Sequence, residues 1–310
     1  MAIHMKGKSL ASLYDLTGEE IEQILKTSEL LKLQLLRGQE HPLLKGKTLA
    51  MIFEKPSTRT RVSFEVGMWQ LGGYALYLSS TDLQLGRGET VGDTAQVLSR
   101  YVDGIMARVF AHQTILDLVA YSKVPVINGL SDFSHPCQGL ADLFTVYEKK
   151  GRLSGLRLAY IGDGNNVAHS LIYGFSKVGT NIILGCPRGY EPDPQVVSRG
   201  KEEAKKNGAE VKVTNDPEEA ARGADVIYTD VWASMGKEKE REERLKILKP
   251  YQINPDLVKL AKEDYIFMHC LPAHRGEEVT NEVADSRNSV IFDQAENRMH
   301  TQKALMALVM

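Results

Sequence analysis

Cysteine is scarce in this sequence, and an excess of charge of either sign is missing. Cys137, Cys186 and Cys270 are the three cysteines among 310 residues. Their number is odd and no two stand as C-x-x-C, which argues against a disulfide framework and for a reducing, cytoplasmic compartment. Lysine and arginine number 38 against 40 aspartates and glutamates, a formal net charge of -2. Bulk charge therefore offers nothing to a nucleic acid or a membrane surface. No apolar run approaches the roughly 18 residues that a membrane span requires. The opening residues, Met1-Ala2-Ile3-His4-Met5-Lys6-Gly7, hold no apolar signal core, so no secretory signal is expected. Internal repeats and low-complexity segments are missing too.

What is present is an ordinary globular composition, 43% hydrophobic and 25% charged. The length suits about two domains of roughly 100–200 residues each. One stretch stands out. The apolar run Thr48-Leu49-Ala50-Met51-Ile52-Phe53 reads as a buried strand and leads into Glu54-Lys55-Pro56-Ser57-Thr58-Arg59-Thr60-Arg61. Val62, Phe64, Val66, Met68, Trp69 and Leu71 then cover nearly every side of a helix, which predicts that it is buried all round. Ser57 to Thr60 thus fall at a strand-to-helix turn, where backbone N–H groups lack helical partners and the dipole is positive. Ser57, Thr58 and Thr60 add hydroxyl donors, and Arg59 and Arg61 add fixed charge. The turn suits a small dianion such as phosphate. A plain Ser/Thr cap beside two surface arginines is the alternative.

The remaining pattern alternates strands and helices. Thr17 with Glu20 predicts a capping box, followed by an apolar stripe through Ile21, Ile24, Leu25, Leu31 and Leu35. Strands are expected at 49–53, 74–78, 104–109 and 124–128, with helices over 60–71, 88–100 and 112–121 between them. A long helix from Pro136 to Lys150 leads to a second set of strands at 156–161, 182–185, 210–213, 226–229, 266–269 and 290–292. The expectation is an α/β protein of two domains, each a parallel sheet flanked by helices. The first domain covers residues 1–150 and the second 151–294. A final helix over 295–310 is expected to pack back on the first domain. The charged run Lys237 to Arg244 is expected as a solvated helix or loop.

Ile161-Gly162-Asp163-Gly164-Asn165-Asn166-Val167 imitates a dinucleotide-binding turn. Val167 occupies the third glycine position, and Gly185-Cys186-Pro187 stands where a ribose-binding acid would end the next strand, so that reading is declined. Asn166 remains a polar group at a helix start. Other polar groups also follow strands, at the edge where open α/β sheets bind ligands. Arg108 ends one strand among apolar neighbours and needs an anionic or carbonyl partner, in a substrate or in a structural salt bridge. His135 and Gln138 flank a helix start three residues apart. Asp230 precedes Val231-Trp232-Ala233-Ser234-Met235-Gly236, and Arg298 begins the last helix. His269-Cys270-Leu271-Pro272-Ala273-His274 suggests a metal, but no zinc spacing accompanies it, so neither metal nor cofactor is expected. A phosphate cradle, cleft arginines, a His–Gln pair and a carboxylate with an asparagine suit a phosphorylated carbonyl compound attacked by an amine.

Ser57-Thr58-Arg59-Thr60-Arg61, His135-Pro136-Cys137-Gln138, Asp230 to Gly236 and His269-Cys270-Leu271-Pro272 together resemble the aspartate/ornithine carbamoyltransferase family. The likeness runs from about Leu10 to the C-terminus, and the last two motifs resemble its ornithine-using branch. The resemblance implies transfer of the carbamoyl group of carbamoyl phosphate to the δ-amine of L-ornithine, in arginine metabolism. It implies that Ser57, Thr58, Arg59 and Thr60 hold the phosphate, and that Arg108, His135 and Thr58 polarise the carbamoyl oxygen. Pro136, Cys137, Gln138 and the carbonyls of Cys270 and Leu271 line the carbamoyl group, with Arg298 close by. Asn166, Asp230, Ser234 and Met235 hold ornithine, and Cys270 orients the δ-amine. The resemblance further implies a homotrimer, or a multiple of trimers, in which Gln84 reaches a neighbour's site. Sister enzymes acting on putrescine or N-acetylornithine, and a non-catalytic binding paralogue, are the alternatives.

Overall fold

The computed structural model describes residues 2–80, 83, 88–232 and 241–310. Its contacts divide the chain into two units, Met1–Phe144 with Glu296–Met310, and Thr145–Ala295.

The first unit begins with α1 (Gly18–Leu36), and Thr17 and Glu20 form the expected capping box. Strand β1 (Thr48–Phe53), α2 (Thr58–Gln70), β2 (Tyr74–Ser79), α3 (Val91–Leu98), β3 (Gly104–Arg108), α4 (His112–Tyr121), β4 (Val126–Leu130) and α5 (Pro136–Lys150) follow in order. The four strands make one sheet in the order β2-β1-β3-β4, and every pairing is parallel. Strand order reverses between β1 and β3, so their C-terminal ends form a topological switch point, where α/β sheets bind ligands. Phe53 ends β1 in register with Arg108 at the end of β3. Ala50, Ile52, Ile105, Ala107 and Val126 join Ile115 and Leu118 of α4 in an apolar core.

Two details depart from the sequence pattern. Helix α2 buries only one side, through Phe64, Gly67 and Met68, while Trp69 is 76% exposed and Val62 is exposed as well. An apolar residue on every face did not make every face a core face. Strand β4 starts two residues later than expected. The Ser122 hydroxyl donates to the Val124 carbonyl at 2.7 Å and accepts from its N–H at 3.1 Å, which holds Val124 in a turn.

The second unit runs through β5 (Arg157–Ile161), α6 (Asn166–Ser176), β6 (Asn181–Gly185), α7 (Pro194–Lys206), β7 (Val211–Thr214), α8 (Pro217–Ala221) and β8 (Val226–Thr229). Helices α9 (Arg241–Leu248) and α10 (Pro255–Val258), strand β9 (Ile266–His269) and α11 (Asn281–Ala284) complete it. Its sheet has the order β7-β6-β5-β8-β9, again all parallel. Here the switch point lies between β5 and β8, placing Gly162-Asp163 beside Asp230. Ala159, Ile161, Ile227, Phe267 and Val279 build this core. The expected strand at 290–292 does not form. The Val290 N–H bonds to the Phe267 carbonyl at 3.0 Å, and the chain turns at once into α12 (Ile291–Val309), leaving Phe292 exposed.

From Glu296 onward α12 belongs to the first unit, as expected of the terminal helix. The Lys32 ammonium of α1 donates to Asn297 Oδ1 at 2.8 Å, and Arg298 donates to Gln138 of α5 at 2.9 Å. Helix α2 packs so closely that a Cβ on Gly67 would lie 3.2 Å from Lys303 Cγ and from Met306 Cε. Among the described residues no helix is long and apolar enough to cross a membrane.

Candidate active site

The polar groups gather at the two switch points, one set in each unit. In the first unit Ser57 is the N-cap of α2. Its backbone is extended, with φ −161°, and its hydroxyl accepts from the Thr60 N–H at 3.3 Å. That cap is the bland reading of Ser57, and it is real. It also fixes the turn that presents the first N–H groups of α2. Thr60 is the meeting point. Its buried Oγ1 accepts from Ser57 Oγ at 3.1 Å, from Arg298 Nη2 at 3.4 Å and from Arg108 Nη1 at 3.5 Å. Thr58 is exposed at the first helical position. Arg61 turns elsewhere, pairing with Glu65 at 3.0 Å and lying over the Tyr77 ring.

His135 is 5% exposed just ahead of α5. Burial pushes its pKa well below 6.5, and the positive charges of Arg298, Arg108 and Arg59 push it further in the same direction. The imidazole is therefore neutral at neutral pH and remains a hydrogen-bond donor. Arg108 and Arg298 are themselves buried. Three guanidinium groups around one neutral histidine, next to a helix N-terminus, make a strongly anion-attracting site.

Gln138 holds Arg298 Nη1 with its carbonyl oxygen at 2.9 Å and donates to Asp142 Oδ1 at 2.8 Å. Pro136 begins α5, and Cys137 points into the core. The Cys137 thiol lies 3.4 Å from the Asn128 carbonyl, and burial raises its pKa to about 12. Cys137 thus contributes backbone and packing here rather than a thiolate.

In the second unit Asp230 follows β8 and is held on both oxygens. Oδ2 accepts from Asn165 Nδ2 at 2.7 Å. Oδ1 accepts from the Cys270 thiol at 2.9 Å and from the Val231 N–H at 2.8 Å. Asn165 also caps α6, accepting from Val167 at 2.9 Å and Ala168 at 3.2 Å. Asn166 is the first residue of that helix and half-buried. Sequence reasoning singled out Asn166 and passed over Asn165, although an asparagine at a helix start is itself a cap signal. The close Gly164 is used by the backbone alone, since a Cβ there would stand 2.2 Å from Pro192 N.

Cys270 and Leu271 leave β9 in a tightly constrained turn. Leu271 has φ +57°, a conformation that costs a branched residue free energy and is kept only where its surroundings insist. They do. The Leu271 N–H donates to His269 Nδ1 at 2.9 Å, so the proton sits on Nε2 and is donated to Glu278 Oε1 at 3.0 Å. Gln294 accepts the His269 N–H at 2.9 Å and donates to the Tyr228 hydroxyl at 3.0 Å.

Asp230, His269 and Cys270 offer ligand atoms within 4.8 Å of one another, as do His274, Glu277 and Glu278. Both nitrogens of His269 are already engaged as described, and Glu277 is paired with Arg241. Arg244 is buried, not solvated as its charge run suggested. It pairs with Asp163, donates to the Trp232 carbonyl at 2.5 Å and faces the Tyr190 ring at 4.8 Å. Arg241, Glu242 and Glu243 of that run are exposed on α9, as expected, while residues 237–240, with Gln84, Ser234 and Met235, lie outside the described residues.

Comparison with known proteins gives consistent results over the full length. Residues 8–148 match the family model "Aspartate/ornithine carbamoyltransferase, carbamoyl-P binding domain", and residues 154–309 match its "Asp/Orn binding domain". An ornithine carbamoyltransferase of Thermococcus kodakarensis is 63% identical over 310 residues, which is 100% of this chain and 98% of that protein. The anabolic ornithine carbamoyltransferase of Pyrococcus furiosus is 60% identical, again over 100% of this chain and 98% of the relative. A solved structure of the Pyrococcus furiosus enzyme superposes with a TM-score of 0.97 at 60% identity, covering 100% of this chain and 99% of that one.

Proposed function

The chain belongs to the aspartate/ornithine carbamoyltransferase family, and on that premise we propose that it transfers the carbamoyl group of carbamoyl phosphate to the δ-amine of L-ornithine, yielding L-citrulline and phosphate. One observation carries the reading. Arg59, Arg108 and Arg298 converge on a neutral, buried His135 beside the Ser57-capped N-terminus of α2. That is the charge pattern of a site for an acyl phosphate.

The first unit takes carbamoyl phosphate. The turn from Ser57 to Thr60 and the Arg59 guanidinium hold its phosphate oxygens. Arg108, Thr58 and His135 face the carbonyl oxygen, where negative charge grows as the tetrahedral intermediate forms. A neutral imidazole serves this better than a charged one. It donates its N–H without a proton to lose, while the arginines supply the fixed charge. Gln138 accepts from the carbamoyl NH₂, together with the carbonyls of Cys270 and Leu271, and Arg298 stands beside the acyl group. The second unit takes ornithine. Asp230 and Asn166 hold its α-amino and α-carboxyl groups, with Ser234 and Met235, and Cys270 orients the δ-amine. The uncharged δ-amine attacks the carbonyl carbon. A carbon–nitrogen bond forms, the carbon–oxygen bond to phosphate breaks, and the leaving phosphate accepts the amine's proton.

The name of the Pyrococcus furiosus relative supports the citrulline-forming, biosynthetic direction. Free cysteines at 137, 186 and 270 fit a cytoplasmic setting. The protein works as a homotrimer or a multiple of trimers, with Gln84 reaching a neighbour's site. Exposed aromatic groups on the first unit, Trp69, Tyr74 and Tyr101, support such self-association.

The test is citrulline formation from carbamoyl phosphate with ornithine, run beside putrescine, N-acetylornithine and aspartate as separate acceptors. Product with ornithine alone is expected. Turnover of a different amine would keep the carbamoyl phosphate half and overturn the assignment of Asp230. No product with any acceptor, from folded protein, would overturn the enzymatic reading.

A further inference from the structure

Gln302 lies one turn beyond Arg298 on α12 and is 1% exposed. A buried amide is costly unless both its ends are bonded, and here both are. Oε1 accepts from Arg298 Nε at 3.0 Å, and Nε2 donates to Ser63 Oγ at 2.7 Å. The orientation of that amide is not a free choice. The Ser63 hydroxyl donates to the Arg59 carbonyl at 2.6 Å, so toward Gln302 it can only accept. Gln302 must then present Nε2 to Ser63 and Oε1 to Arg298. The hydrogen bonds run one way, from the Arg298 guanidinium through Gln302 and Ser63 to a backbone carbonyl in the first turn of α2.

A second one-way chain leaves the same guanidinium. Nη1 donates to Gln138 Oε1, and Gln138 donates to the Asp142 carboxylate, which when ionised only accepts. The two chains hold the guanidinium at two edges and so set its plane. Gln138 stands among the groups assigned to substrate, and its role is accounted for. Gln302 takes the Nε edge and is assigned nothing. Thr301 and Lys303 beside it are buried too, Leu305 and Met306 one turn on are apolar and buried, and a methionine of similar volume would fill its place. The amide adds direction, not volume.

We propose that Gln302 is a positioning residue for the carbamoyl phosphate site, holding the Arg298 guanidinium in register with the Ser57–Thr60 turn through Ser63. The inference rests on the function proposed above and deepens it. Arg298 acts on substrate; Gln302 acts through Arg298. Arg298 lacking that support would tilt about its remaining bonds to Gln138 and Thr60, and its field on the acyl group would weaken.

The experiment is steady-state kinetics of the full-length wild-type protein and of Gln302→Met, which keeps the volume and removes both hydrogen bonds. Carbamoyl phosphate is varied at saturating ornithine, then the reverse. Gln302→Met is expected to lose about 10- to 100-fold in kcat/KM for carbamoyl phosphate, the size of one charge-assisted hydrogen bond. KM for carbamoyl phosphate is expected to rise while KM for ornithine at saturating carbamoyl phosphate stays where it was, whereas a general loss of folded protein would lower apparent kcat and leave both KM values unchanged. Ser63→Ala cuts only the far link and is expected to lose less. The double variant is expected to lose no more than Gln302→Met alone, because both act on one chain. A Gln302→Met enzyme within about twofold of wild type, or losses that simply add, overturns the proposal. Gln302→Glu covers the case in which methionine prevents folding. It keeps an acceptor for Arg298 and, ionised, cannot donate to Ser63, so it is expected to lose no more than Ser63→Ala. An equal loss on both substrates would overturn the assignment. A wild-type protein inactive with every amine overturns the functional reading and this inference together; an active wild type with an unaffected Gln302→Met overturns this inference alone.

Discussion

The Cys270 thiol donates to Oδ1 of Asp230 at 2.9 Å, joining the end of β9 to the end of β8. The same carboxylate receives Asn165 from the turn after β5 at 2.7 Å. Three strand ends of one sheet thus meet on one aspartate, whose carboxylate is oriented before any ligand arrives. Asp230→Asn keeps the shape and removes the charge. We expect kcat/KM for ornithine to fall about 10- to 100-fold, the worth of a charge-assisted hydrogen bond, while KM for carbamoyl phosphate is unchanged. Initial-rate kinetics in both substrates check it, and a rise confined to carbamoyl phosphate would remove Asp230 from the ornithine site.

Asn165 serves two partners, and its removal should show in stability as well as in rate. Asn165→Ala deletes the α6 cap and one anchor of Asp230. The cap alone is worth about 0.5–2 kcal/mol. Urea denaturation should report a loss in that range, and kinetics should report a higher KM for ornithine. Unchanged stability would mean that the cap is replaced by water.

His135 carries a pH prediction whose sign is definite. Its folded pKa lies well below 6.5, through burial and then through Arg298, Arg108 and Arg59. Below pH 6.5 the unfolded chain binds a proton that the folded chain refuses. The unfolded state therefore gains as pH falls, and stability drops on acidification below 6.5. His135→Gln should flatten that part of the stability curve. The wild-type kcat/KM should also show no limb near 6.5 from this group, which a pH–rate profile tests directly.

Lys303 predicts the opposite end of the scale. It is buried, donates to Gln70 Oε1 at 2.7 Å and lies 3.2 Å from His41 Nε2. Burial lowers its pKa from 10.5 to about 8. Between those values the unfolded state holds more protons than the folded one, so stability rises with pH across that window. Lys303→Met should abolish the rise, measured as the denaturation midpoint at successive pH values. A wild-type midpoint that falls across this range would contradict the burial of the ammonium.

The pair of Arg244 and Asp163 is buried on both sides and also secures the Trp232 carbonyl. Losing one member strands the other charge, at a cost of about 3–5 kcal/mol. Arg244→Met and Asp163→Asn are each expected to destabilise by that order, and the double variant by less than their sum. Each should also raise KM for ornithine, since Trp232 stands two residues after Asp230. Additive losses in denaturation would show that the two side chains do not act as a pair.

Much of this was legible before any coordinates. Alternating apolar runs and helical patterns were enough for a parallel α/β fold, because a strand buried on both faces must be apolar throughout. Thr17 and Glu20 marked a helix start by local hydrogen bonding alone, and Ser57 to Thr60 marked a strand-to-helix turn. Local chemistry of this kind depends on neighbours in the chain and can be read there. The failures were equally physical. Val290 to Phe292 is apolar enough for a strand, but strands need partners, and only Val290 finds one. Helix α2 carries apolar residues on every side, yet which side meets a core depends on what packs there. Arg244 sits in a run of charge that reads as solvated, until Asp163, 81 residues away in sequence, pairs with it.

The sequence by itself determined the elements, the parallel sheets, the chemical types of the site groups and, through its motifs, the family. Those follow from spacing, propensity and local capping. Only the tertiary structure decided that His135 is neutral, that Gln302 faces Arg298 with its oxygen, and that Asn165 grips Asp230. Burial, field and hydrogen-bond direction come from groups far apart in the chain, which the tertiary fold brings together within each unit.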